Sequence, residues 1–291
     1  MLPFRLDNLG VIRVSGDDRI DFLQGQLTQD LREVRADRTR LWGWNNPKGR
    51  LLAIGQAMDA GDAVLLVMPG ELLDSTAQRL RMFVLRARVA IEVAPLTVAG
   101  LEPGPNTVAV QGLELGATAD ASATDGEHCI ARVIGDPARA LLIQPPDSAP
   151  AGDSSRAAAA WALADVRAGL PCITAATTES FVPQMVNLDL LGGISFAKGC
   201  YVGQEIVART HNLGRIKRRM FRFASPAPAG PGNDVVDSDG GKAGTVVRCA
   251  PAEEGCELLA VVQLSAVADP LFVGDAVLAP LPVPYDIPEN A

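Results

Sequence analysis

The sequence predicts an α+β protein built on antiparallel sheets, with a small all-β unit at its C-terminal end. Three observations carry this. Strand-like runs in the first ninety residues are joined by hairpin turns, not by crossover helices. Helical spacing recurs between those runs. After Arg222 the helical period disappears, and Pro and Gly punctuate short apolar runs in the manner of a barrel-like module.

Residues 9–14 read as a strand. Ser15 or Asp17 then offers a helix N-cap, and Ile20, Leu23, Leu27 and Leu31 recur on one helical face. Trp42 and Trp44 stand two apart on a strand and so point to one side. Core packing is the ordinary role of such a pair, and walling a ligand cavity is the alternative. Asn45-Asn-Pro-Lys-Gly49 is a turn by composition, and residues 50–58 and 63–68 form a hairpin through Asp59-Ala-Gly-Asp62. Residues 71–85 predict a helix, after which Val89, Ile91 and Val93 alternate as a half-buried strand.

From residue 94 to 151 the chain is rich in Gly, Pro, Asp and Ala. Short strands are expected near Val108 and between Cys129 and Ile143, and residues 147–155 are the linker or long-loop candidate. A helix over 156–168 follows, capped by Asp153 or Ser154, closed by Gly169 and stopped by Pro171. The final apolar runs, 243–247, 257–264 and 275–278, belong to the all-β unit.

Composition narrows the function. The 291 residues suggest about two domains at roughly 150 residues each. With 26 Lys+Arg against 34 Asp+Glu, the net charge is −8, a poor general binder of nucleic acid or anionic lipid. Hydrophobic residues at 48% and charged residues at 21% exclude wholesale disorder. The first residues carry no secretory or transit signature, and no apolar run is long enough to span a bilayer, so a cytoplasmic protein without membrane contact is expected. Five scattered cysteines (Cys129, Cys172, Cys200, Cys249, Cys256) read as reduced thiols. There is no C-x-x-C, and only His128 and His211 offer imidazole, so no metal site is expected; His128 beside Cys129 reads as a surface strand pair. Phosphate-loop, dinucleotide and nucleophile-elbow fingerprints are absent.

One segment stands apart. Lys198-Gly-Cys-Tyr-Val-Gly-Gln-Glu205 packs a cation, a thiol, a phenol, an amide and a carboxylate into eight residues, with two glycines that let the backbone bend tightly. Cys200 is either a small buried hydrophobe or a thiolate favoured by nearby Lys198. As a functional thiol it is a nucleophile, a transient cluster ligand or a redox-sensitive group. Tyr201 offers a ring face and a hydroxyl. Gln204 and Glu205 suit a donor–acceptor edge, or Glu205 simply pairs with Arg209 four residues on. The stretch from Arg209 to Arg222 holds six of the 26 basic residues. It is either a solvated strand or a local positive field for a glutamyl tail, a nucleic-acid backbone or an acidic partner.

The Lys198–Glu205 segment closely resembles the KGCYxGQE signature of the YgfZ family, folate-binding relatives of the glycine-cleavage T-protein (GcvT-like aminomethyltransferases). Phe22-Leu-Gln-Gly-Gln-Leu-Thr-Gln-Asp-Leu31, Asn46-Pro-Lys-Gly-Arg50, Leu80-Arg-Met-Phe-Val-Leu-Arg86 and Arg167-Ala-Gly-Leu-Pro171 support it, so the resemblance covers nearly the whole chain. It implies ferredoxin-like α+β units in a ring around a central folate cavity, over residues 1–220 as two subdomains, plus a C-terminal β-barrel over 221–291. It also implies an accessory protein that binds tetrahydrofolate (or a one-carbon derivative) and supports assembly or repair of iron–sulfur client enzymes, including radical enzymes that modify tRNA. Cys200 would be the reacting thiol, with Lys198 lowering its pKa or meeting a folate carboxylate. Tyr201, Gln204, Glu205, Asn46, Lys48, Arg167, Asn187 and Arg209 would contact folate, with possible weak tRNA contact through Arg209 to Arg222.

Two departures from the T-proteins weigh against aminomethyl transfer. Where those enzymes place a catalytic carboxylate after the Asn46 turn, this chain has Arg50-Leu-Leu-Ala-Ile-Gly-Gln56. Where they have the pterin-binding Glu of an R-L-E-A-G motif, Arg167 stands before Ala168-Gly169. A folate-dependent aminomethyltransferase and a non-catalytic tRNA-binding module remain the two alternatives.

Overall fold

The strand Ala63–Pro69 is buried at every position, as a strand covered on both faces must be. In the computed structural model, which describes residues 2–148, 154–212 and 216–288, it is the middle strand of a five-stranded antiparallel sheet. The order is Arg40–Asn45, Leu51–Asp59, Ala63–Pro69, Leu9–Ser15, Ala90–Ala94. Side chains alternate across it. Val64, Leu66 and Met68 face a core shared with the helices, whereas Leu65 and Val67 face a second sheet.

That second sheet is also five-stranded and antiparallel, ordered Phe4–Arg5, Thr97–Leu101, Asp136–Gln144, Cys129–Val133, Ser122–Thr124. Cys129, Ala131, Leu141 and Ile143 pack against the first sheet. Ile130, Ala140 and Leu142 turn the other way, onto the hairpin of Val108–Val110 and Leu113–Leu115. The helices are α1 (Arg19–Gln24), α2 (Leu73–Arg81), α3 (Ser155–Arg167) and α4 (Gln204–Asn212).

The C-terminal unit is a seven-stranded, barrel-like antiparallel sheet that starts at Arg218 and runs to Leu281. Its longest ladder pairs Lys242–Pro251 with Cys256–Gln263 and that strand with Arg218–Ser225. Leu258, Ala260 and Val262 fill its interior. Leu259 and Val261, on the opposite face of the same strand, join the core of the first sheet and dock the barrel onto it.

The hairpins, the alternating strands and the long helix at 155–167 follow the sequence expectations. Two helices are shorter than the spacing predicts. α1 stops at Gln24 although Leu23, Leu27 and Leu31 are all fully buried. Beyond it the Thr28 N–H bonds to the Gly43 carbonyl (2.9 Å), and a bridge forms between Leu27 and Trp44. The apolar period here reports burial, not one continuous helix. α2 likewise ends at Arg81, where the Phe83 and Val84 N–H groups close onto the carbonyls three residues back, leaving Met82 and Leu85 exposed. Ser154 is the N-cap of α3 but caps nothing through its side chain. Its Oγ accepts instead from the Arg5 N–H (3.1 Å). Asp153 and most of the expected linker, 149–153, lie outside the described residues. Among the described residues, no helix is long and apolar enough to cross a membrane.

Candidate functional site

Residues 198–203 form an irregular loop leading into α4, and three anchors fix it. The Lys198 ammonium donates to the carbonyls of Gln24 (2.7 Å), Leu27 (2.7 Å) and Gln29 (2.9 Å). The Val202 N–H donates to the Gly25 carbonyl (3.2 Å). Gln204 turns back so that its Oε1 accepts from the Tyr201 N–H (3.1 Å), while its own N–H donates to the Tyr201 carbonyl (3.2 Å). The loop is thus tied to the chain leaving α1, with Lys198 taking the carbonyl of the last α1 residue, Gln24, and two carbonyls beyond the helix end.

A second turn interlocks with it. The Asn46 Oδ1 accepts from the N–H groups of Lys48 (2.9 Å) and Arg50 (3.0 Å), an Asx-type closure of the Asn46–Arg50 turn. Gly203 lies against this turn at φ +76°, and a Cβ there would collide with the Asn46 carbonyl oxygen. Gly49, at φ +69°, meets Ile206 of α4 in the same way. Gly203 of one motif and Gly49 of the other are therefore explained by one contact between the two turns.

Cys200 is exposed on this loop, while Cys129 and Cys256 are buried. Burial pushes the Cys249 thiol up to about 12, helped by the adjacent Cys256, and also raises Cys172 and Cys129. Lys198 is not turned toward Cys200. All three of its N–H donors are spent on carbonyls, and burial, only partly offset by the Asp30 carboxylate, lowers it to about 8. Its ammonium also stands 5.1 Å from the centroid of the Tyr201 ring, whose hydroxyl burial raises to about 12.

The remaining sequence candidates scatter. Lys48 is exposed at the tip of the Asn46 turn. Glu205 and Arg209 pair with each other on the surface of α4 (3.3 Å), the structural alternative set out above. Asn187 is buried in the left-handed conformation (φ 59°), and its Nδ2 donates to the Met220 carbonyl (2.7 Å), tying 183–187 to the barrel. Arg167 reaches Glu257 (2.8 Å), which also holds Arg222 (2.7 Å). Burial raises Glu257, but the two guanidiniums outweigh it and hold the carboxyl below its ordinary range. In the basic stretch, Arg219 is buried against Asp189 (2.6 Å) and Arg222 against Glu257, so two of its six charges are neutralised internally. Residues 213–215 lie outside the described residues.

A cavity of about 110 Å³ opens where the two sheets, α3 and the barrel meet. At roughly 10–15 Å³ per water it has room for a flat bicyclic ring. Ile54, Val67 and Trp161 give it apolar walls, with Gln56 and Cys172 between them and Asp165 and Arg248 at its polar edge. Asp165 pairs with Arg248 and with Arg139 (2.7 Å), and Arg139 lies over the Trp161 ring at 4.3 Å. The Gln56 amide is already bonded to backbone at the Arg132 carbonyl (2.6 Å). None of the residues singled out from sequence lines this cavity. Trp42 and Trp44 are core, in the cluster that also holds Leu80 of α2. The signal for Asp165 was present, since it follows Trp161 by four residues and so shares the inner face of α3.

Proteins named tRNA-modifying protein YgfZ match along nearly the full chain. The one from Yersinia pseudotuberculosis serotype IB is 29% identical over 98% of this chain and 92% of its own. The one from Colwellia psychrerythraea is 29% identical over 88% and 84%. The chain is similar to the proteins of that name along nearly its whole length. No protein-family profile matches it. Among solved structures, glycine cleavage system aminomethyltransferase T from Bartonella henselae superposes with a TM-score of 0.69 over 96% of this chain and 84% of that one. At 14% identity that likeness shows a shared GcvT-like fold.

The strand Leu51–Asp59 runs along the cavity and presents Ile54 and Gln56 to it. Among the described lining residues the one carboxylate is Asp165, which comes from α3 and is held by two arginines.

Proposed function

We propose that this chain is a tetrahydrofolate-binding accessory protein that supports iron–sulfur client enzymes, with Cys200 as its working thiol. The observation that carries the reading is the Cys200 loop itself. An exposed thiol sits on a loop that Lys198, Val202 and Gly203 lock in place, so the loop is built to present a group and not to fill a core. Full-length similarity to proteins named tRNA-modifying YgfZ supports the same biology.

The cavity fits folate chemically. Apolar walls suit the faces of a pterin, and the Asp165–Arg248 pair suits its polar edge. When bound, folate supplies a carried one-carbon unit. Asp165 and Arg248 would orient the ring, Ile54 and Trp161 would exclude water from its faces, and Cys200 would act at the surface, away from these walls. Aminomethyl transfer is the weaker reading, because Ile54 cannot serve as a base or stabilise a developing cation.

An anaerobic calorimetric titration of the reduced protein with tetrahydrofolate tests this. Saturable binding that is lost when Ile54→Phe fills the cavity is the expected result. Absence of binding to the wild-type chain removes folate from the reading and leaves Cys200 as a docking or cluster-contacting thiol.

A further inference from the structure

The segment before Cys200 carries a feature that neither the cavity nor the thiol uses. Phe196 and the α4 residue His211 are stacked, with ring centroids 3.8 Å apart and planes within 15°. Both rings lie at the surface, Phe196 with 43% of its area exposed. A stack of this kind in a core has both outer faces covered by apolar side chains, but here the pair stands in solvent, four residues from the exposed thiol. Packing alone does not require a flat aromatic platform in that position.

The sequence on either side of His211 is basic. Arg209 shares α4 with His211, and Lys217 and Arg218 follow within seven residues of His211. Lys217 and Arg218 are exposed and form no ion pair among the described residues, unlike Arg219 and Arg222 of the same stretch. Glu205 pairs with Arg209, and Asp30 accepts from the Gln24 amide (3.0 Å) and the Arg32 N–H (3.0 Å). An exposed aromatic plane flanked by free cations is the arrangement by which proteins hold single-stranded RNA, one base on the ring and phosphates on the cations.

We infer that the Phe196–His211 stack is a nucleobase platform, and that Lys217 and Arg218 hold the adjoining phosphates of a single-stranded RNA segment beside Cys200. An RNA is favoured over an acidic protein surface because the apolar element is a stacked planar pair, matched to a base at ordinary stacking distance, and not a groove or a patch of aliphatic side chains. The overall charge of −8 does not oppose this, since Lys217 and Arg218 lie locally free and the long-range field is screened within about 8 Å at physiological salt.

The test is a fluorescence-anisotropy titration of the full chain with a labelled single-stranded RNA of about ten nucleotides and mixed sequence, at about 50 mM and about 200 mM salt. The expected result is saturable binding that weakens with salt. Phe196→Ala and His211→Ala should each weaken it about 5- to 100-fold, while Phe196→Trp retains it. Changing both Lys217 and Arg218 to Gln should lower the salt slope by about 1.4, the value for two phosphate contacts on a single strand. Both aromatic positions are exposed, so the variants should melt like the wild type. Failure of the wild-type chain to bind at the lower salt overturns the inference. So does binding that ignores both alanine changes, which would mark a purely ionic contact elsewhere.

Discussion

Gly203 rests on the carbonyl of Asn46 so closely that no side chain fits between them, and its Cα neighbourhood also includes Gly49. The two glycine-bearing motifs of the sequence, more than a hundred and fifty residues apart, are thus two sides of one joint. Gly203→Ala must both clash with Asn46 and strain a backbone at φ +76°. A cost of about 1–3 kcal/mol is expected, together with a displaced loop. A lowered thermal midpoint and an altered rate of Cys200 alkylation would register it. An alanine variant indistinguishable from wild type in both would show that the joint is not tight.

Cys200 should be the first of the five thiols to react with iodoacetamide, because it is exposed while burial disfavours the thiolate of Cys129, Cys172 and Cys249. Peptide mapping at short times reads the order. Cys200→Ser should remove the fast phase, leave the melting curve unchanged and abolish cellular rescue of client enzymes. Undiminished rescue by the serine variant would rule out thiol chemistry.

Lys198 carries a pH signature. Its folded value, about 8, lies below the ordinary 10.5, because burial opposes the charged form. Between those two values the unfolded chain holds a proton here that the folded chain has released, so this group makes stability rise with pH across that window. Comparing urea midpoints of wild type and Lys198→Met from pH 7.5 to 10 isolates it. The wild type should gain on the variant as pH rises. At pH 7 the variant should still be weaker by about 1–3 kcal/mol, since three carbonyls lose their donor.

Asp165 holds two guanidiniums, the buried Arg139 and the half-buried Arg248, across a seam between α3, the second sheet and the barrel. Asp165→Asn leaves Arg248 without its counter-charge and Arg139 with Asp136 alone. A loss of about 3–5 kcal/mol is expected, seen as a lower urea midpoint. Arg248→Met should cost less, because Arg139 remains to pair with the carboxylate. Equal losses would show that the three groups do not act as a unit.

The sequence by itself determined the elements whose signal is local. Apolar runs on either side of the Asp59–Asp62 turn placed the hairpin of 51–59 and 63–69, Gly169 and Pro171 closed α3, and the Lys198–Glu205 motif marked the thiol loop that the structure exposes. It also determined that the Ala53–Ile54 region carries no carboxylate. Tertiary structure decided everything that depends on what a charge meets. Lys198 looked like a partner for Cys200 two residues away, yet its acceptors are 169 to 174 residues distant. Arg167 looked like a cavity residue, yet it is drawn to Glu257 ninety residues on. Asp165 and Arg248 meet at the cavity across 83 residues. Hydrophobic period encodes which side of an element is buried, because burial is a property of the element. The partner of a cation or a carboxylate is a property of the fold, set by whichever unsatisfied groups the packed elements bring within about 3 Å of it.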